Sequence, residues 1–167
     1  MATVLVVYGS WTGSTAGVAF RLGKALTELG QTVRVLPAGS APDPSGFYGV
    51  VVGSAIRSGE WHPAAKSWLT DHAPKLHDKP VAFFSVCLTP IVHPLATPEG
   101  LGYMLPIAAA TGISPVCLGV FPGSYDPAKL GLKERTRAKL WGAKKGDFRD
   151  MAAVDSWARE YSGLLTA

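Results

Sequence analysis

The sequence predicts an α/β fold in which helices cover both faces of a parallel sheet. Apolar strand-like runs alternate with helical patterns about five times, and no linker or repeat interrupts this alternation. Strands that are apolar along their whole length are typical of a parallel sheet buried on both faces. With right-handed crossovers, five such strands favour the order 2-1-3-4-5, in one domain spanning residues 1–167.

Each predicted element has a local signal. The first strand is a run of mainly β-branched and aliphatic residues, and the first helix ends before Gly30, a typical C-terminal stop. The predicted strands are Thr3–Tyr8, Thr32–Leu36, Gly49–Ser54, Val81–Cys87 and Pro115–Phe121. The predicted helices are Thr15–Leu29, Pro63–His72, Glu99–Thr111, which Pro106 weakens, and Asp150–Leu164. The apolar stripe predicted for the last helix consists of Val154, Trp157, Ala158 and Tyr161.

The composition is that of a folded domain. Of 167 residues, 47% are apolar and only 17% are charged, which argues against disorder. Cys87 and Cys117 each lie in an apolar run without a CxxC spacing, so we expect two buried thiols rather than a disulfide or a metal site. The N-terminus has no basic region and no cleavage site, and no apolar run approaches the ~20 residues of a membrane span, so we expect a cytoplasmic protein.

The positive charge is concentrated near the C-terminus. The formal net charge is +4, and eight basic residues between positions 129 and 149 are opposed there only by Glu134 and Asp147. These basic residues are Lys129, Lys133, Arg135, Arg137, Lys139, Lys144, Lys145 and Arg149. They indicate either a solvated helix face or a patch for an acidic ligand, an acidic protein partner or weak contact with an anionic membrane surface. Nucleic acid is disfavoured because no recognition motif accompanies the charge.

The segment after the first strand is the most informative motif. Backbone amides at a helix N-terminus attract anions, the hydroxyls add donors, and a glycine allows close approach of the backbone. The candidate cofactor-binding residues of this segment are Ser10, Trp11, Thr12, Gly13, Ser14 and Thr15. Without lysine, GxxxxGK[ST] or GxGxxG, the segment favours the terminal phosphate of a mononucleotide over a triphosphate or a dinucleotide. The alternative is an ordinary N-cap followed by a glycine turn.

The loops after strands 3 and 4 are expected to face the same crevice. They offer apolar surface, an aromatic ring and backbone groups that a flavin ring requires. Arg57 is predicted to contact a phosphate, the ring edge or a substrate carboxylate, or else to form a surface salt bridge. Trp61 is predicted either to stack on the ring or to pack in the core. The candidate ring-binding residues are Ser54, Ala55, Ile56, Arg57, Ser58, Gly59, Trp61, Val86, Cys87, Leu88 and Thr89.

The sequence indicates no catalytic residue. His62 lies in the third-strand loop, and a lone loop histidine is more often structural than catalytic. The sequence contains no evident Ser/His/Asp or Cys/His arrangement and no pair of carboxylates. Any redox chemistry would therefore be supplied by the cofactor, with the protein positioning it.

These motifs resemble the flavodoxin-like family that contains the quinone-dependent protoporphyrinogen dehydrogenases. The segment 10–15 is similar to the S/T-x-T-G-x-T loop of all flavodoxins. The other matching segments are Val51–Gly59 with Trp61-His62, Phe84–Val86, Tyr125-Asp126 with Lys129-Leu130, and Gly146–Asp150 with Trp157-Ala158. The resemblance spans nearly the whole chain and implies a flavodoxin-like three-layer sandwich, with FMN as cofactor.

The resemblance also implies an activity, the oxidation of a porphyrinogen with electrons passed to a quinone. By position, Ser10 and Thr12 to Thr15 would hold the phosphate. The ring would be lined by Ala55, Ile56, Arg57, Gly59 and Val86 to Thr89. Leu132–Lys145 is far more polar than the corresponding segment of the dehydrogenases. The alternative function is a flavodoxin-type electron carrier between protein partners, although such carriers are typically acidic and this chain is basic.

Overall fold

The computed structural model describes residues 1–89 and 101–165, which form a parallel sheet between two layers of helices. The main sheet consists of β1 (Thr3–Gly9), β2 (Thr32–Pro37), β3 (Gly49–Arg57), β4 (Glu60–Trp61), β5 (Val81–Cys87) and β6 (Cys117–Pro122). A separate antiparallel pair consists of β7 (Ser124–Tyr125) and β8 (Gly146–Asp147). The helices are α1 (Ser14–Glu28), α2 (Pro63–His72), α3 (Leu105–Thr111), α4 (Leu132–Leu140) and α5 (Met151–Leu164).

The strand order confirms the prediction. The five long strands pair in parallel in the order β2-β1-β3-β5-β6, which is 2-1-3-4-5 when only the parallel strands are counted. The short strand β4 is an addition that pairs antiparallel with the end of β3. The carboxyl ends of β1, β3 and β5 therefore meet at one edge of the sheet.

Both faces of the sheet are buried, as the apolar strands predict. Alternate residues of each strand point to opposite faces, so Val4 and Val6 pack with α1 and α5 while Leu5 and Val7 pack with α2 and α3. The predicted stripe of the last helix is buried throughout. Position 53 in β3 requires glycine, because a Cβ there would lie 1.9 Å from the Phe84 ring.

The first and last helices have the ends that their sequences indicate. Beyond α1, Gly30 has a φ of 89°, its amide donates to the Thr27 carbonyl, and the Gln31 amide donates to the Leu26 carbonyl. Asp150 is the N-cap of α5 and accepts a hydrogen bond from the Ala153 amide at 3.0 Å. The side chain of Asp150 therefore caps the first turn of α5.

Three predictions of the sequence need correction. The predicted helix 99–111 is not continuous, because a turn at Tyr103 and Met104 precedes α3. Pro106 lies in the first turn of α3, where proline is tolerated. Residues 99 and 100 lie outside the described residues. The third strand continues through Ala55 to Arg57 rather than ending at Ser54, because pairing with β4 extends it. The short elements β4, β7, β8 and α4 were not predicted, since helices and strands this short or this polar lack an apolar period.

Candidate functional site

A cavity of about 560 Å³ opens at the carboxyl edge of the sheet, where the loops after β1, β3 and β5 meet. Its size lies in the range typical of small-molecule and cofactor sites. The wall formed by these loops contains Ser10, Trp11, Thr12, Ser14, Ala55, Ile56, Arg57, Ser58, Gly59, Val86, Cys87, Leu88 and Thr89. The structure thus brings together all of the predicted site residues except Gly13, Thr15, Ser54 and Trp61, which are treated below.

The loop after β1 presents an uncapped helix N-terminus to the cavity. Gly13 is the N-cap of α1, has a φ of 96°, and offers no capping side chain to the helix amides. The Ser10 hydroxyl accepts from the Gly13 amide at 3.1 Å, so one amide is already satisfied within the loop. The first-turn amides that follow have no intrahelical acceptor, because the first four amides of any α-helix lack one. They carry the positive end of the helix dipole.

Thr15 provides a second indication of an anion site. Its hydroxyl oxygen is buried in the first turn of α1 and has no hydrogen-bond partner among the described residues. An unsatisfied buried hydroxyl is costly, so its presence favours a ligand that supplies the missing partner. The other such atom in the described chain, Ser85 Oγ, lies within β5 between Ser54 of β3 and Val120 of β6.

The end of β3 and the turn to β4 form the second part of this wall. Ala55 and Ile56 line the cavity from the strand itself, and the turn that follows has positive φ values at Ser58 (55°) and Gly59 (77°). Such a two-residue turn matches the twist of an antiparallel hairpin. The hairpin therefore fixes Arg57 and Ser58 in the cavity wall rather than leaving them on a loose loop.

Trp11 lies close to two nitrogen-containing side chains. The Arg57 guanidinium sits 4.3 Å from the centroid of the Trp11 ring, and the His62 ring lies 4.5 Å from it on centroids. A guanidinium over an indole face is attracted by the ring quadrupole. Burial, and then the charge of Arg57, lower the pKa of His62 below its usual value. His62 Nδ1 accepts from the Ala64 amide at 3.2 Å as the N-cap of α2, which is a structural role.

Trp61 and Ser54 lie away from the cavity wall, which corrects the prediction for both. Trp61 is only 4% exposed, packs edge-on against Phe83 with ring centroids 5.6 Å apart, and donates to the Tyr103 carbonyl at 2.9 Å. Its environment is the core packing that the sequence offered as the alternative to stacking. Ser54 is fully buried and its hydroxyl accepts from the His62 amide at 2.7 Å, so it fixes the hairpin.

The loop after β5 completes the first wall. Val86, Cys87, Leu88 and Thr89 line the cavity, and the predicted loop residue Pro90 lies outside the described residues. The Cys87 carbonyl accepts from the Gly123 amide at 3.0 Å, which ties this loop to the segment after β6. Cys87 and Cys117 are both buried and free of a disulfide. Burial raises the pKa of the Cys117 thiol to about 12, so this cysteine stays protonated at neutral pH.

A second wall comes mainly from the C-terminal part of the chain. Sequence reasoning named none of its residues as cofactor-binding, although it placed Arg137 in a basic patch suited to an acidic ligand. The residues of the second wall are Tyr103, Gly123, Ser124, Tyr125, Asp126, Leu130, Glu134, Arg137, Ala138 and Trp141. Two signals could have indicated it. Tyr125 follows the fifth parallel strand at the same sheet edge as the other loops, and Trp141 is an aromatic residue in an otherwise polar, basic segment.

The described ranges hold neither a metal-ligand cluster nor a membrane-spanning helix. No group of three or more histidine, cysteine, aspartate or glutamate side chains within 1–89 and 101–165 is arranged to hold a metal ion. Among the helices of the same ranges, none is both long and apolar enough to cross a bilayer.

Comparison with known proteins identifies the family. The family model described as "Flavodoxin domain" matches residues 5–151. This chain belongs to the flavodoxin domain family. A curated relative of this flavodoxin domain is the protoporphyrinogen IX dehydrogenase [quinone] of Escherichia coli strain K12, which is 31% identical over 96% of this chain and 94% of its own length.

Solved structures support the same fold. The oxidised flavodoxin 2 of Bacillus cereus superposes with a TM-score of 0.64 at 18% identity, covering 98% of this chain and 99% of that one. A flavodoxin from the domain Archaea gives a TM-score of 0.61 at 13% identity, covering 99% of each chain. This flavodoxin domain is an FMN-binding flavoprotein of the oxidoreductase class.

The residues present fit FMN. The uncapped amides of α1 and the buried, unpartnered Thr15 hydroxyl match a phosphate, and no basic side chain of the loop is needed to attract it. A Cβ placed on Gly13 would meet no atom within 4 Å, so the space in front of this turn is open to a ligand. The apolar side chains of Ile56, Val86 and Leu88 provide a surface suited to a flat ring.

Proposed function

We propose that this flavodoxin domain oxidises protoporphyrinogen and passes the electrons to a quinone. The observation that carries the proposal is the two-sided cavity, in which the loops suited to FMN face a second wall built from α4 and the segment after β6. A carrier that only exchanges electrons with proteins needs the cofactor edge exposed, whereas a substrate needs a wall to bind against. The full-length likeness to an E. coli enzyme named for this reaction supports the same choice.

The residues of the first wall have separate roles under this proposal. The hydroxyls of Ser10, Thr12 and Ser14, together with Thr15 and the first amides of α1, would hold the phosphate. The ring would lie against Ala55 to Gly59 and Val86 to Thr89, with Trp11 at its side. Bound FMN supplies the two-electron redox chemistry, while the protein provides binding and orientation.

The second wall would bind the substrate. Tyr103, Tyr125 and Trp141 offer aromatic faces to a large, partly apolar ring, and aromatic surface of this kind contributes strongly to binding. In each flavin turnover the donor would lose two electrons and two protons, and one quinone would gain the same number to become a quinol. Complete oxidation of protoporphyrinogen to the porphyrin removes six electrons, so it would take three such turnovers and three quinones. The predictions of an acidic protein partner or an anionic membrane surface for 129–149 stay predictions.

Anaerobic mixing of the FMN-loaded protein with protoporphyrinogen tests the proposal. We expect the flavin absorbance to bleach on mixing. When a soluble quinone such as menadione is then added in excess, we expect the flavin absorbance to return as the porphyrin band grows. The matched control is the Lys139→Gln variant, whose side chain lies on α4 but does not line the cavity, and which should behave as the wild type.

Two results would contradict the proposal. In the first, the flavin remains oxidised in the presence of the porphyrinogen while a flavodoxin reductase reduces it rapidly. In the second, the reduced flavin is reoxidised by an electron-accepting protein and by no quinone. Either result would favour the electron-carrier function instead.

A further inference from the structure

The charged side chains of the cavity wall differ in the local partners that they have. Four of them line the cavity: Arg57, Asp126, Glu134 and Arg137. Asp126 accepts from the Ala128 amide at 3.0 Å and its carboxylate lies 3.9 Å from Lys145 Nζ. Glu134 lies in the first turn of α4, with its carboxylate beside the cap residue Gly131. The carboxylate of Asp126 is therefore directed to local partners, and that of Glu134 is turned back toward the start of its own helix.

The two arginines have no such counter-charge. Arg57 lies over the Trp11 ring, and Arg137 reaches from α4 to donate to the Ser58 hydroxyl, but within 1–89 and 101–165 neither forms an ion pair. Elsewhere in the described chain, Arg21 and Arg149 each bind an aspartate through two side-chain hydrogen bonds. The arginines at the cavity are thus left without the carboxylate that these other two arginines have acquired.

We propose that Arg57 and Arg137 form a paired site for the carboxylate groups of the electron-donating substrate. The inference rests on the proposed function and adds the residues that select the substrate. Arg57 directly precedes Ser58 in sequence, Arg137 donates to the Ser58 hydroxyl, and both arginines line the cavity. Two cations that line one cavity without an ion-pair partner favour an anion there.

The contact of Arg57 with Trp11 suits this role. The guanidinium carbon lies 4.3 Å from the centroid of the Trp11 ring, and the N–H groups of a planar guanidinium held on an aromatic face remain available to carboxylate oxygens. Arginine and carboxylate groups match in a two-bonded planar geometry, which adds orientation to the attraction. A macrocyclic donor with acidic substituents would therefore be held by its carboxylates while its ring lies against the aromatic residues of the second wall.

Binding of a redox-inert diacid to the FMN-loaded protein tests the proposal. The probes are mesoporphyrin IX, which carries two propionates, and its dimethyl ester, which has the same ring without the charges. Kd is followed by tryptophan fluorescence quenching in the wild type, Arg57→Gln, Arg137→Gln and the double variant. The matched control is Lys139→Gln, which removes one positive charge from α4 outside the cavity.

We expect the double variant to raise Kd of the diacid at least about tenfold, each single variant to raise it by a smaller factor, and the ester to be unaffected. Lys139→Gln should stay within about twofold of the wild type. The proposal would be overturned if the double variant lost equal affinity for the diacid and the ester, or lost no affinity for the diacid. It would also be overturned if Lys139→Gln lost as much affinity for the diacid as the double variant, or if the wild type did not bind the diacid.

The same preparations separate this proposal from two others. If the arginines instead bind the cofactor phosphate, Kd of FMN will rise about tenfold in the double variant and the proposal fails. If the wild type does not oxidise protoporphyrinogen but its diacid binding still depends on both arginines, the carboxylate site stands and the proposed substrate is wrong. Unchanged circular dichroism of the variants checks that they are folded.

Discussion

The two helices nearest the C-terminus, α4 and α5, differ in what holds them. In α5, five residues are buried, and Trp157 packs against Phe84, Phe121 and Tyr161. None of the residues of α4 is buried, and Leu132 and Leu140 are 81% and 85% exposed. The side-chain hydrogen bonds of α4 include those from Arg137 to Ser58 and from Arg135 to the Leu130 carbonyl.

This difference separates the stability of the protein from the shape of its site. Burying the apolar stripe of α5 contributes to the free energy of unfolding, so changes there affect the whole domain. Changes in α4 alter the second wall of the cavity at little cost to the fold. The scaffold comprises the sheet with α1 and α5, and the rim comprises α4 and the turn at Ser58 and Gly59. We expect these two regions to respond differently to mutation.

The largest effect is expected from a matched pair of tryptophan substitutions. Trp157→Ala removes an aromatic ring from the core and its hydrogen bond to the Leu118 carbonyl, which should lower the free energy of unfolding by about 3–5 kcal/mol. Trp141→Ala, on a residue that is 41% exposed at the end of α4, should lower it by about 1 kcal/mol or less. Urea unfolding monitored by circular dichroism measures both. Equal losses in the two variants would contradict the division into scaffold and rim.

The second effect concerns Thr15, a residue of the scaffold helix α1 that we assign to the cofactor. Thr15→Val removes the unpartnered hydroxyl while keeping the shape of the side chain, so the stability of the apoprotein should be unchanged or higher. FMN should bind at least about tenfold more weakly, a loss of about 1.4 kcal/mol or more. Fluorescence titration of the apoprotein with FMN gives the affinity.

Ser85→Ala is the matched control for Thr15→Val. It removes the other unpartnered buried hydroxyl of the described chain, which lies within β5 between Ser54 and Val120 rather than at the N-terminus of a helix. FMN affinity should therefore be unchanged in this variant. A weakening of FMN binding by Ser85→Ala, or an unchanged affinity in Thr15→Val, would remove the role assigned to the Thr15 hydroxyl.

The smallest effect separates an arginine of the scaffold from one of the rim. Arg21 binds Asp155 with contacts of 2.7 and 2.5 Å and so joins α1 to α5. Arg21→Gln should therefore lower the urea midpoint slightly at pH 7, as expected for a solvent-screened ion pair. The hydrogen bond from Arg21 lowers the pKa of Asp155, so this contribution is present above the usual carboxyl pKa. It should be lost as pH falls through the lowered pKa.

The rim arginine provides the comparison for Arg21. Arg137→Gln should leave the urea midpoint close to that of the wild type, with no additional dependence on pH in the acid range, because Arg137 has a hydroxyl rather than a carboxylate as its partner. Urea unfolding of both variants between neutral and acid pH measures the difference. The roles assigned to the two arginines would be contradicted if the loss of stability in Arg21→Gln did not depend on pH. They would also be contradicted if Arg137→Gln lost as much stability as Arg21→Gln.

Some features of the site were predictable and others were not, for identifiable reasons. The loop 10–15 was recognised because hydroxyls and a glycine between a strand and a helix have a local signature. For Trp61 the sequence left stacking and core packing open, because its position at the sheet edge does not reveal which way the ring turns. Its burial against Phe83 depends on α2 and α3, which follow it in sequence and cover it only in the folded chain.

By itself, the sequence determined the strands, most of the helices, their order in the sheet and the phosphate loop. These follow from apolar periodicity and from local turn chemistry, which are properties of neighbouring residues. Only the tertiary structure decided that α4 forms a second wall, that Arg57 rests on Trp11 and that Arg137 meets Ser58. Those contacts join residues far apart in the chain, and polar surface side chains leave no periodic pattern from which their partners can be read.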